Sequence, residues 1–262
     1  MTIQHIASPL MTTKGLAGLL YRMGRTFDGL NTSRMATEEF LRTGNPNVVG
    51  SRNDYALLCD LKDASSYVIE YDYSTRPMDL AWFTGINAKM TRTAAMEPGV
   101  LRTAENVIVS TRRGTYTPPV PSAAAIEQEL RLVSADDTAN ELGTGSNAAT
   151  SNSVNVAATP TGNPQPLERA SHLFATLAKM QPFGDGNKRT ALLAANGLLL
   201  KLHSSAVLAV PVEPPDRDTF NDKLSAWYFD NDPSVIDWFA NWNHTHCTEQ
   251  YSNSKNIAYP NL

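Results

Sequence analysis

The run from Thr190 to Leu200, Thr-Ala-Leu-Leu-Ala-Ala-Asn-Gly-Leu-Leu-Leu, limits what this chain can fold into more than any other stretch. It is apolar nearly all round, and a helix without a polar face has to be enclosed by other elements. Spanning a bilayer takes about 20 apolar residues, so the run is too short for that and predicts the buried helix of a packed domain. Upstream, Leu167, Ala170, Phe174 and Leu177 recur at three- and four-residue steps, predicting a helix over Leu167 to Met180 with one face inward.

Between these helices lies Gln181-Pro182-Phe183-Gly184-Asp185-Gly186-Asn187-Lys188-Arg189. Pro182 disfavours helical geometry at Gln181, and Gly184 and Gly186 admit backbone angles that side chains forbid. The second helix then begins on Asn187, Lys188 and Arg189. Free amides, the positive end of a helix dipole and two cationic side chains make an anion site, with phosphate its natural occupant. Asp185 can hold a Mg²⁺ ion that bridges phosphate oxygens. Spacing alone also fits a helix-capping turn with a solvated charge cluster.

Elsewhere the chain offers fewer constraints. Its 262 residues, 42% hydrophobic, can bury a sizeable core as one large or two modest domains. A formal charge of -4 gives no electrostatic footprint for nucleic acid, and no stretch calls for a membrane. Cys59 and Cys247 form neither a metal-ligand spacing nor a disulfide framework, as suits a reducing compartment. The apolar stretch within Gly15 to Arg22 lacks a signal-peptide cleavage site, so it is expected as a surface helix and the protein as cytoplasmic.

Leu57, Leu61, Ala64 and Val68 predict an amphipathic helix between Asp54 and Tyr71, and Pro77 to Ala95 continues helically. Asn106 to Ser110 and Thr115 onward, about a turn at Gly114, predict the one convincing strand pair. A lone hairpin has a free edge on which an extended segment of another chain can dock. Residues 134–166, rich in Asn, Ser, Thr and Ala, are expected as a mobile insertion. Asp218 to Phe229 and Pro233 to Trp242 predict two helices joined by the polar turn Asp230-Asn231-Asp232. Trp227, Phe229, Trp238, Phe239 and Trp242 are expected to pack in the core, and the tail from Gln250 to be loose.

The Gln181 to Arg189 run resembles the signature of the Fic/Doc (Fido) family, His-Pro-Phe-x-(Asp/Glu)-Gly-Asn-(Gly/Lys)-Arg, at every place except the first. The resemblance implies a mainly α fold with a helical core and one short hairpin, the flap. It implies a transferase that moves AMP, or more rarely phosphate, from ATP to a hydroxyl of a target protein. Asp185 would be the Mg²⁺ ligand, and Phe183, which would also anchor the loop, Gly184, Gly186, Asn187, Lys188 and Arg189 the nucleotide-binding set. Asn187 and Arg189 would also serve catalysis. Val107, Ile108, Val109 and Tyr116 fall on the flap, which would hold the target's backbone.

Gln181 stands where the family has the histidine that accepts the attacking hydroxyl's proton. An amide cannot do so, and losing a general base typically costs about 10²–10⁴-fold. Impaired transfer is the first expectation; the alternative is a non-catalytic ATP-sensing or protein-binding module. Lys188 matches the Doc-like, phosphate-transferring branch, and Leu192 replaces a second arginine found in many AMP transferases. The family's inhibitory (Ser/Thr)-x-x-x-Glu-(Gly/Asn) helix, aligned on Thr32, puts Ala36 at the glutamate's place; Glu38 and Glu39 are off the spacing, and Glu249, four residues after Thr245, has the right step but is followed by Gln250. His172 lies about 13 Å from Gln181 along its helix, whereas His244 or His246 could approach through folding. The expected division is an N-terminal helical extension over 1–77, a Fic-like domain over 78–242 and a polar tail over 243–262.

Overall fold

A computed structural model describes residues 8–93, 97–134 and 165–252, with side chains to residue 246. Among the described residues there are nine α-helices: α1 (Thr13–Phe27), α2 (Arg34–Thr43), α3 (Arg52–Ile69), α4 (Leu80–Asn87), α5 (Ala123–Ser134), α6 (Pro166–Met180), α7 (Asn187–Lys201), α8 (Asp216–Asp230) and α9 (Ser234–Ser252). Two strands, β1 (Val109–Thr111) and β2 (Gly114–Tyr116), form an antiparallel hairpin. The fold is mainly α, as the sequence predicts.

Helix α7 lies at the centre, with Thr190 to Leu199 all buried. It packs against α6, α3 and α4, while α9 and α8 cover the remaining side of α6. The inward residues of α6, Leu167, Ala170, Phe174 and Leu177, are those its periodicity marks. Asn196, the one polar residue inside the apolar run, pairs with the segment after α7: its amide donates to the Leu208 carbonyl (2.8 Å) and its carbonyl accepts from the Leu208 amide (3.0 Å). A buried polar group so satisfied fixes that segment rather than weakening the core. Gly197 lets the ring of Trp82 approach, since a Cβ there would sit 2.7 Å from Trp82 Cζ2 and from the Tyr73 hydroxyl.

Several expectations are corrected. Helix α1 is not a surface helix: Ala17, Leu19, Leu20 and Met23 are buried in the core shared with α3 and α7. Its apolar face, Leu19, Leu20 and Met23, packs against α2 and α3. The helix expected from Pro77 to Ala95 is the short α4, ended at Asn87 by bonds its side chain makes to distant backbone. The hairpin is shorter than expected; Val109 pairs with Tyr116 and Asn106 to Ile108 lie outside the ladder. Helix α9 continues past Trp242 and past Gln250 to Ser252. The expected mobile insertion lies almost wholly outside the described residues. No described helix is long and apolar enough to cross a membrane.

Candidate active site

Helix α6 ends at Gln181, whose backbone is left-handed (φ 46°), the geometry that lets the chain turn directly before Pro182. Phe183 is 1% exposed, its ring 5.3 Å from that of Phe83, and its backbone bridges Leu101. It anchors the loop and does not line the cleft, which corrects its place among the ligand-binding residues. Gly186, at φ 74°, is the N-cap of α7 and brings no side chain to cap the helix's first amides. A Cβ at Gly186 would meet Asn87 Nδ2 and Met90 Sδ at 3.0 Å, so glycine is needed for space as well as for its angle.

Asn187 closes the loop on itself. Its carbonyl accepts from the Phe183 amide (2.7 Å) and its amide donates to the Phe183 carbonyl (2.8 Å). From α4, Asn87 donates to the Asp185 carbonyl (3.1 Å) and to Thr190 Oγ1 (3.0 Å), and accepts from the Gly99 amide (2.8 Å). Arg102 is buried, and no carboxylate of the described residues forms an ion pair with it. Its Nε donates to the Gln181 carbonyl (2.6 Å), and Nη2 donates to the carbonyls of Pro118 (3.1 Å) and Pro119 (2.7 Å). It ties the end of α6 to the strand returning from the flap, and burial lowers its pKa. The sequence reading missed Asn87 and Arg102 because each acts on backbone far along the chain.

Above the loop is an open cleft of about 510 Å³, lined by Gln181, Gly184 to Arg189, the flap residues Asn106 to Ser110, and Phe27 and Asp28 from the end of α1. Val107, Ile108 and Val109 therefore form its far wall. Val107 and Val109 are buried and Ile108 is 65% exposed. Tyr116 does not line it; its ring stacks on Tyr228 at 5.1 Å and holds the flap to α8. A second cavity of about 370 Å³ shares Val109, Ser110 and Lys188 with the first and is lined beyond them by Thr111 and Arg112 of the hairpin and by Asn221, Leu224, Ser225 and Tyr228 of α8. The Tyr228 hydroxyl is buried with no hydrogen-bond partner among the described residues.

Charge converges on Arg189. Its side chain is 4% exposed, and it lies 3.4 Å by Nε from Asp28 Oδ1 and 3.2 Å by Nη2 from Asp185 Oδ2. Its Nη1 donates to Thr93 Oγ1 at 2.9 Å. Asp28 is the main functional residue that sequence reasoning missed, since it sits at the C-cap of α1 with no local signal. Its backbone faces solvent while its carboxylate side chain is only 23% exposed. Burial, opposed by Arg189 and reinforced by Asp185, pushes its pKa up to about 6. Lys188 is half-buried beside the Phe27 ring, and burial lowers its pKa.

Gln181 is 5% exposed and its Nε2 donates to the Ala178 carbonyl at 2.6 Å, so the side chain is held against its own helix. Among the described residues no histidine lines the cleft. His172 is 2.9 Å from Glu129, His244 borders a cavity beside α6, and the His246 ring stacks on Trp242. Glu39 is paired with Arg42 on the surface of α2, and neither it nor Glu38 lines the cleft. The side chain of Glu249 lies outside the described residues. Leu192 is fully buried.

Residues 77–199 match the model of the Fic/DOC family. The structure of the chain resembles a fragment of Fic-1 from C. elegans, with a TM-score of 0.66 at 16% identity, covering 97% of this chain and 69% of that one. It also resembles a Fic domain containing signaling protein from Bacteroides thetaiotaomicron, with a TM-score of 0.63 at 16% identity over 88% of this chain and 82% of that one. At such identities the likeness is one of fold. No curated protein sequence matches the chain.

Proposed function

We propose that this chain is a Fic-type transferase that moves AMP or phosphate from ATP to a hydroxyl of a target protein, with turnover limited by Gln181. The observation that carries this reading is the cleft itself, in which the uncapped start of α7, Lys188 and Arg189 face the flap across a space of about 510 Å³. The α7 amides and two cations would hold the phosphates, and the adjoining cavity, with its apolar Leu224 and unpartnered Tyr228 hydroxyl, would take the rest of the nucleotide.

The residues present fit a Mg²⁺ ion. Asp185 has a 43% exposed side chain, and among the described residues its carboxylate pairs with Arg189, which suits a cation that keeps most of its waters. Mg²⁺ would offset charge developing on the phosphate oxygens. The rest falls to the protein. Arg189 and the α7 dipole stabilise negative charge at the phosphates, and the flap aligns the target's backbone. Gln181 sits where the hydroxyl's proton must leave, and its amide cannot take it. Positioning and electrostatics supply much of the catalysis of phosphoryl-type transfer, so a reduced rate survives the loss of a base.

A second reading, a nucleotide-sensing or protein-binding module without turnover, is favoured by the Gln181 amide being engaged with Ala178. One experiment separates the two. Incubation with ATP labelled at the α or the γ phosphate, using the chain and its Gln181→His variant, should show protein labelling that rises by about 10²–10⁴-fold in the variant. The position of the label reports AMP or phosphate transfer. Nucleotide binding by calorimetry with no labelling by either protein would overturn the transferase reading in favour of the module.

A further inference from the structure

We infer that Thr93, backed by Asp60, is a positioning residue that fixes the direction in which Arg189 faces the cleft; the inference rests on reading that cleft as a phosphate site. Asp60, on α3, is fully buried. It accepts from the backbone amides of Arg92 (3.0 Å) and Thr93 (2.7 Å) and from the Thr93 hydroxyl (2.7 Å). A hydroxyl has one proton to give, and here the carboxylate takes it. Only lone pairs are left to face Arg189, whose Nη1 donates to Thr93 Oγ1 at 2.9 Å. The charge behind the hydroxyl fixes its rotation and strengthens it as an acceptor.

The three partners of Arg189 differ in what a ligand would do to them. Asp28, 3.4 Å away, would be repelled by an incoming phosphate, and Asp185, 3.2 Å away, would turn toward the accompanying cation. Thr93 makes the shortest of the three contacts and carries no net charge, so it alone has no reason to leave. It keeps the guanidinium plane fixed when both carboxylates are drawn off. Asp60 precedes the segment that matches the family, residues 77–199, so the arginine is set in part from outside that segment.

The test uses the full chain and two variants. Thr93→Val keeps the shape and removes the acceptor; Thr93→Ser keeps the hydroxyl. In the protein without nucleotide, NMR of the Arg189 guanidinium should show slow rotation about the Nε–Cζ bond in the parent and in Thr93→Ser, and faster rotation in Thr93→Val. By calorimetry with ATP and Mg²⁺, Thr93→Val should bind about tenfold more weakly and Thr93→Ser within about twofold of the parent. Unchanged rotation in Thr93→Val, or Thr93→Ser behaving like Thr93→Val, overturns the positioning role. If the parent chain itself fails to bind ATP with Mg²⁺, the phosphate-site reading falls, while the rotation measurement still decides whether Thr93 holds the arginine. Asp60→Asn should loosen the same rotation; should that variant not fold, the Thr93 pair decides alone.

Discussion

Replacing Asp28 by asparagine should make the protein more stable at neutral pH, although it removes an ion pair. The carboxylate has a pKa of about 6 in the folded protein against an ordinary value of 3.8. A gap of about two pH units corresponds to ~3 kcal/mol at 1.36 kcal/mol per unit. Partial exposure of the side chain screens this to about 1–2 kcal/mol. The sign follows from linkage: a carboxyl whose folded pKa is raised contributes stability that is complete below about pH 4 and lost as pH rises through 6. The ionised parent therefore carries a penalty at pH 7.5 that the neutral amide does not. Thermal unfolding of both proteins from pH 4 to 8 should show equal melting temperatures at the acid end. Asp28→Asn should gain roughly 2–8 °C at pH 7.5, from about 2–4 °C per kcal/mol at this size. A difference between the two that does not change with pH would refute the assignment, because a packing effect has no proton dependence. The same substitution removes negative charge from the wall of the cleft, so it should also tighten binding of ATP with Mg²⁺.

Asn187→Ala should cost about 2–4 kcal/mol in urea unfolding, because it leaves the buried amide and carbonyl of Phe183 without partners; a loss below 1 kcal/mol would mean that the loop does not depend on this clasp. Gly197→Ala should cost about 1–3 kcal/mol by driving a methyl group against Trp82 and Tyr73 at 2.7 Å, and an unchanged melting temperature would show that α7 and α4 are not in such close contact.

What the sequence determined by itself is local. Periodicity marks the buried faces of α3, α6 and α7, and Pro182 with the two glycines announces a turn between α6 and α7 where an anion can meet free amides. These depend on residues within a few positions of each other, so no knowledge of the fold is needed to find them. The tertiary structure alone decided which groups surround that turn. Asp28 approaches Arg189 from the end of α1, Thr93 reaches it from beyond α4 with Asp60 of α3 behind it, and Arg102 joins the α6 end to the flap. Each lies far from its partner along the chain, and a contact of that kind leaves no mark in spacing or composition. The same cause hid the burial of α1, which depends on neighbouring helices closing over it, and the shortness of α4, whose end at Asn87 depends on Asp185 and Gly99 far along the chain. The chemistry of the loop is written in its own residues, while its electrostatic setting, including the raised pKa of Asp28, exists only once distant carboxylates and cations are packed around one arginine.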